Sequence, residues 1–382
     1  MDLTNRDIVE LTDLRRRLHR MPEVSGEEAA TAAEVAAMLR AAGPNRVLTG
    51  LGGHGVAAVW EGAGPGPTVM FRAELDALPI EEISDAPHRS GMPGKGHLCG
   101  HDGHMAILAG LARLVGRRPP ARGRVVLMFQ PAEEDGSGAA AVIADPRFGG
   151  IAPDFAFALH NLPGLPLGAA ALAAGHVNCA SVGLMIRLSG RTSHASVPEA
   201  GVSPAPAVAR LIPALAALGP GGALVPGFRL ATVTHARLGE PAFGIAPGEA
   251  EIRVTLRALT DPDMAALLAQ AEALARAEAA AEGLGLGLSR HDAFDACEND
   301  AEATAHLARA LQAEGVAPAD FELPMRASED FGRFGQRAKA AMMFLGAGER
   351  QPMLHNPDYD FPDALIAPGV RIFNRVRRAL TG

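Results

Sequence analysis

A chain of 382 residues exceeds one ordinary hydrophobic core, so two domains are expected. It is 48% hydrophobic and 20% charged, which excludes a disordered chain, and a net charge of −8 offers no basic face to a nucleic-acid backbone. No apolar run reaches the roughly 18 residues a membrane span needs. The N-terminus lacks a basic segment followed by an apolar run, so no signal peptide is expected. Three cysteines, Cys99, Cys179 and Cys297, cannot form a disulfide framework, and a reducing cytoplasm is the expected compartment.

In chain order, residues 5–20 place Ile8, Leu11, Leu14 and Leu18 on one helical stripe, which Pro22 ends. Arg15, Arg16 and Arg17 read as a solvated face of that helix. Ser25 with Glu28 three residues on is a capping-box pattern for a second helix, closed by Gly43 and Pro44. Residues 56–60 and 68–73 read as strands, 103–115 as a helix and 124–130 as a strand. Residues 137–144 then read as a helix and 155–160 as a strand. This alternation predicts an α/β domain with a largely parallel sheet.

From about residue 177 the pattern changes. Residues 182–189 alternate like a half-buried strand, 204–218 read as a helix, and 229–237 and 250–259 as strands. A helix follows from Asp261 and Pro262 to about Glu282, then a strand over 284–289. That β-α-β-β-α-β order is ferredoxin-like and predicts an inserted α+β domain over 179–290, with residues 1–178 and 291–382 forming one discontinuous domain.

The chemistry-bearing residues cluster in the outer domain. Cys99, Gly100, His101, Asp102, Gly103 and His104 run together, and Gln130, Pro131, Ala132, Glu133 and Glu134 follow a predicted strand. Thiolate, imidazole and carboxylate are the side chains that bind first-row divalent metals. Of two adjacent glutamates, one can hold metal while the other moves protons. Asp76 and His160 also follow or end predicted strands, where open α/β sheets bind ligands. Singly each residue has an ordinary structural role; together they point to a metal-dependent hydrolase, because burying so many ionisable groups without a metal is costly.

Nearly the whole chain resembles the metal-dependent aminoacylase and carboxypeptidase family. It is most similar to the branch with hippurate hydrolases, auxin-conjugate hydrolases and N-acetyl-diaminopimelate deacetylases. The resemblance runs through Leu18-His19-Arg20-Met21-Pro22-Glu23, Phe71-Arg72-Ala73-Glu74-Leu75-Asp76, the Cys99 run and Gln130-Pro131-Ala132-Glu133-Glu134. It continues at Ser193-His194-Ala195, Ser328-Glu329-Asp330-Phe331 and His355-Asn356-Pro357. It implies a dinuclear-metal α/β catalytic domain with an inserted ferredoxin-like lid and dimerisation domain.

The implied metal ligands are Cys99, His101, Glu134, His160 and His355. They would hold two divalent ions per subunit, Mn²⁺ preferred, with Zn²⁺, Co²⁺ or Ni²⁺ as alternatives. Glu133 resembles the general base and Asp76 the carboxylate that orients it or a ligand. His194 matches a residue that reaches a partner subunit's site and polarises the substrate carbonyl, which implies a homodimer or homotetramer. Arg257 matches a substrate-carboxylate contact. Relatives carry Asn-Val-Ile-Pro where this chain has Gly244-Ile245-Ala246-Pro247, so an amide near the substrate is replaced by Gly244. Relatives also carry Met-His-Ala-Cys where Gly96-His97-Leu98-Cys99 stands, and Arg-Ala-Asp-Met-Asp where Arg72-Ala73-Glu74-Leu75-Asp76 stands.

The implied activity is hydrolysis of the amide bond of a small-molecule N-acyl amino acid. The alternatives are a metal-dependent dipeptidase or carboxypeptidase, and a catalytically silent ligand-binding relative. The last would be expected to lack Glu133 or a ligand, and the chain has them all. The other histidines are expected to be structural, with His104 the one that could support a ligand.

Overall fold

The computed structural model describes residues 2–382, which divide into two compact units. The first runs to Val177 and resumes over Cys297–Leu323 and Asp330–Gly382. The second holds Asn178–Ala296 and Pro324–Glu329. The second unit therefore runs past the 179–290 range drawn from sequence and takes up a six-residue segment from near the C-terminal end.

The first unit supplies α1 (Asn5–Arg20), α2 (Ala29–Ala41), β1 (Arg46–Leu51), β2 (Gly55–Glu61) and β3 (Gly64–Glu74). Next come α3 (His101–Arg117), β4 (Arg122–Gln130), α4 (Gly138–Ala144) and β5 (Phe155–Pro163). The second supplies β6 (Ala180–Ser189), α5 (Ala205–Ala217), β7 (Arg229–Leu238), β8 (Glu249–Ala258), α6 (Asp261–Ala281) and β9 (Gly285–Phe294). The first unit then resumes with α7 (Ala301–Ala313), β10 (Lys339–Gly348) and α8 (Ile366–Thr381). Among the described residues no helix is long and apolar enough to cross a membrane.

In the first unit the sheet order is β1-β2-β4-β3-β5-β10, extended by the short strand Ala170–Ala171. Strands β4, β3, β5 and β10 are mutually parallel, whereas β1, β2 and Ala170–Ala171 pair antiparallel. The parallel expectation thus holds for the centre of the sheet and not for its edges. β2, β4 and β5 are almost wholly buried runs, as strands covered on both faces must be. β1 gave no usable pattern because only Leu51 of its six residues is fully buried. The second unit's sheet, β7-β8-β6-β9, is antiparallel throughout and has the ferredoxin-like order.

Two local readings need correction. Ser25 and Glu28 form no capping box: Glu28 is the N-cap of α2 without a side-chain cap bond, and both side chains are drawn elsewhere. The Ser25 hydroxyl donates to Asp76 Oδ2 at 2.7 Å, and Glu28 Oε1 accepts the Ala132 N–H at 2.8 Å. The arginine run is not uniformly solvated either. Arg15 is 1% exposed and meets Asp102 at 3.3 Å, Asp360 at 2.5 Å and Asp363 at 2.9 Å. Only Arg17 of the three is exposed. Composition showed three cations; the acids that bury one of them lie more than eighty residues away.

Candidate metal centre

The carboxyl ends of the parallel strands bring the first unit's chemistry together. β3 leads into Asp76, β4 into Glu133 and Glu134, β5 carries His160, and α3 begins at His101. Gly100 precedes it in a left-handed conformation, with φ of 91°, and a Cβ there would collide with the Asn161 side chain. Glycine between Cys99 and His101 is thus a requirement of the turn, and that turn points both donors the same way.

Among the described residues five donor groups have their atoms within 4.8 Å of one another. Three are made of residues expected from the sequence: Cys99, His101 and His160; Cys99, Glu134 and His355; and His101, Glu133 and Glu134; the others are Glu74, His101 and His104, and Glu133, Glu329 and Asp330. Cys99 Sγ lies 3.4 Å from His160 Nε2, and His355 Nε2 lies 3.5 Å from Glu134 Oε2. His101 Nε2 is 3.8 Å from Glu134 Oε1 and 3.9 Å from Glu133 Oε2. Cys99 belongs to two of the groups, as a thiolate shared by two cations would.

The imidazoles are oriented by their second nitrogens. His101 Nδ1 donates to the Asp76 carbonyl at 2.9 Å and His160 Nδ1 to the Asn161 carbonyl at 2.7 Å, which leaves both Nε2 atoms facing the cluster. His101 Nε2 is buried and has no hydrogen-bond partner. Such an orphaned atom facing carboxylates fits a bound cation. Burial pushes His101 down, but Glu74, Asp76 and Glu134 reverse this and raise it to about 10. The field that favours a proton there also favours a metal ion. Burial, with His104 alongside, pushes His160 down to about 3 and keeps it neutral, as a ligand must be. Burial and the two glutamates hold the Cys99 thiol far up, so a neighbouring cation is needed to make it a thiolate. The donor set therefore fits a divalent pair.

The loop after β4 is clamped from outside the donor set. Asp76 Oδ2 accepts the Glu134 N–H at 2.9 Å as well as the Ser25 hydroxyl. Burial raises the Asp76 carboxyl, but His101 and these donors lower it further, so it stands below its usual range. Ala132 takes φ of 49°, unusual for a residue with a Cβ, and its N–H is fixed by Glu28. His355 takes φ of 67°, with its N–H on the Leu98 carbonyl at 2.8 Å, which ties it to the Cys99 turn. Glu28 was misread in the sequence because a Ser-x-x-Glu spacing is also what a cap looks like.

His104 forms a close group with Glu74 and His101, but both of its ring nitrogens are engaged. Its Nδ1 donates to Glu74 at 2.6 Å and its Nε2 accepts the Asn161 N–H at 3.2 Å. Glu74 in turn pairs with Arg72, whose Nη2 meets Asp330 at 2.6 Å, and Asp330 also takes the Gln130 amide and the Ala139 N–H. This buried lattice supports the floor of the site.

The remaining sequence candidates lie in the second unit. His194 is exposed on the two-residue strand Ser193–His194, paired with Ile245, and its Nδ1 lies 2.7 Å from the Ser196 hydroxyl oxygen. Gly244 is next to it: its carbonyl accepts the Ala195 N–H at 3.0 Å, and a Cβ there would meet nothing within 4 Å. Arg257 lies apart from these on β8, donating to the Arg326 carbonyl and the Ser328 hydroxyl.

An α/β sheet with a thiol, imidazole and carboxylate cluster at its strand ends defines a metallohydrolase type of centre. Residues 70–378 match the family described as Peptidase family M20/M25/M40. The hippurate hydrolase of Campylobacter jejuni is 30% identical, over 94% of this chain and 93% of its own. The putative amidohydrolase YhaA of Bacillus subtilis is 29% identical, over 95% and 92%. Among solved structures, the Bacillus subtilis YXEP protein, described as a dinuclear metal binding peptidase from the M20 family, superposes with a TM-score of 0.81. It is 24% identical, with 99% of each chain covered. The chain belongs to peptidase family M20/M25/M40, in its amidohydrolase branch.

Proposed function

We propose that the protein hydrolyses the amide bond of N-acyl amino acids at a two-metal centre held by Cys99, His101, Glu134, His160 and His355. The observation that carries this reading is the buried, unpartnered Nε2 of His101, facing Glu133 and Glu134 with its other nitrogen pinned. A bound divalent pair would lower the pKa of the attacking water and polarise the scissile carbonyl. Mn²⁺ is the proposed ion, and Zn²⁺ the rival that a thiolate donor favours.

Glu133 is the proposed proton carrier. It takes a proton from the attacking water and gives it to the leaving nitrogen, so that a carboxylic acid and a free amine result. Asp76 accepts the Glu134 N–H on its carboxylate and the His101 Nδ1–H on its backbone carbonyl, and so would orient these two ligands. His194, from a second copy, would donate to the carbonyl oxygen as charge builds there. Arg257 would hold the substrate's carboxylate. Residues 179–290 would then act as lid and dimer surface.

The test is a panel of N-acetyl, N-benzoyl and N-indoleacetyl amino acids beside a plain dipeptide, with metal-stripped protein and added Mn²⁺ or Zn²⁺. Metal-dependent release of amine is expected, and Glu133→Gln should bind metal normally yet lose on the order of 10²–10⁴-fold in kcat. Full activity in Glu133→Gln would sink the mechanism. Turnover of the dipeptide alone would move the substrate class to peptides.

A further inference from the structure

Asn161 is the neighbour of His160 on β5 and is wholly buried. Its Oδ1 lies against Gly100 and, among the described residues, has no hydrogen-bond partner. A buried amide oxygen without a donor is unfavourable, and leucine would fill a similar space without that cost. Packing alone therefore does not account for an asparagine. What leucine cannot supply is the bond from Nδ2 to the Tyr359 hydroxyl, 2.7 Å long and also buried.

That bond joins three segments that carry donors. Behind it, the Asn161 carbonyl accepts from His160 Nδ1 at 2.7 Å and its N–H donates to His104 Nε2 at 3.2 Å, so this residue fixes the His160 ring. Beside it, Gly100 packs on the amide so closely that no Cβ fits, which sets how near the Cys99–His101 turn comes to β5. Beyond it, Tyr359 belongs to the turn of His355. The Tyr359 N–H donates to the Asn356 carbonyl at 3.1 Å, and the His355 N–H donates to the Leu98 carbonyl at 2.8 Å. Burial, with Cys99 alongside, pushes the Tyr359 hydroxyl well up and keeps it neutral. The group of Cys99, His101 and His160 and the group of Cys99, Glu134 and His355 share only Cys99. Asn161 with Tyr359 is a second bridge between them.

We propose that Asn161 is a positioning residue that couples the two metal positions: through Tyr359 it holds the His355 turn in register with His160 and the Cys99 turn, so that two ions load together. Joint loading rests on the metal-centre reading; the mechanical link between the segments does not.

Asn161→Leu and Tyr359→Phe test it, since each nearly keeps the side-chain volume and removes the bond. Calorimetric titration of the metal-stripped, full-length protein with Mn²⁺ should show one unresolved two-ion step in the wild type. Each variant should show two steps at least about tenfold apart in Kd. The double variant should be no worse than the worse single one, because the bond is already lost. A merely structural role would lower Tm without splitting the steps. Alkylation of the metal-stripped proteins by iodoacetamide, followed by mass spectrometry, reads the link without metal. Cys99 should react several-fold faster in each variant, while the more deeply buried Cys179 and Cys297 keep their wild-type rates and show the fold intact. Tyr359→Phe loses a single oxygen and decides the matter where Asn161→Leu does not fold. Unsplit binding in the variants, or a Cys99 rate that is unchanged or rises only in step with the other two cysteines, overturns the coupling. If the wild type takes up no metal while Cys99 alone reacts faster in the variants, the metal-centre reading fails and the link stands.

Discussion

Glu28 lies outside the donor set, yet it holds the loop that carries Glu133 and Glu134. Its side chain is fully buried, and Oε1 accepts the Ala132 N–H at 2.8 Å and the Gly26 N–H at 2.9 Å. Glu28→Ala removes both bonds. Leaving the buried Ala132 amide unsatisfied costs about 1–3 kcal/mol. The left-handed backbone at Ala132 costs ~1–2 kcal/mol in the wild type, and letting it relax offsets part of the loss. We therefore expect Glu28→Ala to lose about 2 kcal/mol of stability, within the range for loss of a buried polar contact, and to bind Mn²⁺ at least tenfold more weakly. Burial raises the Glu28 carboxyl above its usual range, so the folded state holds the proton more tightly and the charged form is the less stable one. Glu28→Gln keeps an acceptor without that charge and should stay close to wild type. Trp60, the only tryptophan and 1% exposed, reports urea unfolding of this unit, and metal titration reports the site. Wild-type stability and metal affinity in Glu28→Ala, or equal damage from Gln, would refute the reasoning.

His19 sets a pH dependence away from the donors. Burial pushes it down from 6.5, but Asp102 and Glu82 reverse this and hold it up at about 9. Its contribution is therefore fully present below pH 6.5 and lost as pH rises through 9, and amounts to roughly 3 kcal/mol. His19→Gln should be clearly less stable than wild type at pH 6 and differ much less at pH 10; urea midpoints at the two values check this. Gly103 stands where any Cβ would enter the Phe361 ring, so Gly103→Ala should cost ~1–3 kcal/mol by overpacking, read as a fall in Tm. Cys99→Ala removes a donor from two of the five groups and should lower bound metal, counted by mass spectrometry, from two ions per chain to fewer than one. Chelation should leave the far-UV circular dichroism of the wild type intact, because its core is aliphatic and aromatic packing rather than metal ligation.

Much of the fold was legible because its signals are local. Strands β2 to β5 are apolar runs bounded by turns, and α1 carries its Leu11, Leu14 and Leu18 stripe in any context. β1 was missed because an edge strand that buries one residue has no pattern to read. Ser25 and Glu28 were misread for the opposite reason. Their spacing matches a cap, but Asp76 and Ala132 compete for the same side chains and lie 51 and 104 residues further on.

The sequence alone determined the donor types, the spacing that puts Cys99 and His101 on one turn, and the placement of Asp76 and Glu133 after parallel strands. Tertiary structure decided the rest. It chose which nitrogen of His101 and His160 faces inward, engaged His104 with Glu74, and buried Arg15 among Asp102, Asp360 and Asp363. The physical reason is the range of the forces involved. Periodicity and turn chemistry act over a few residues and are written in order along the chain. A hydrogen-bond partner or a counter-charge is fixed only when distant segments come within a few ångströms.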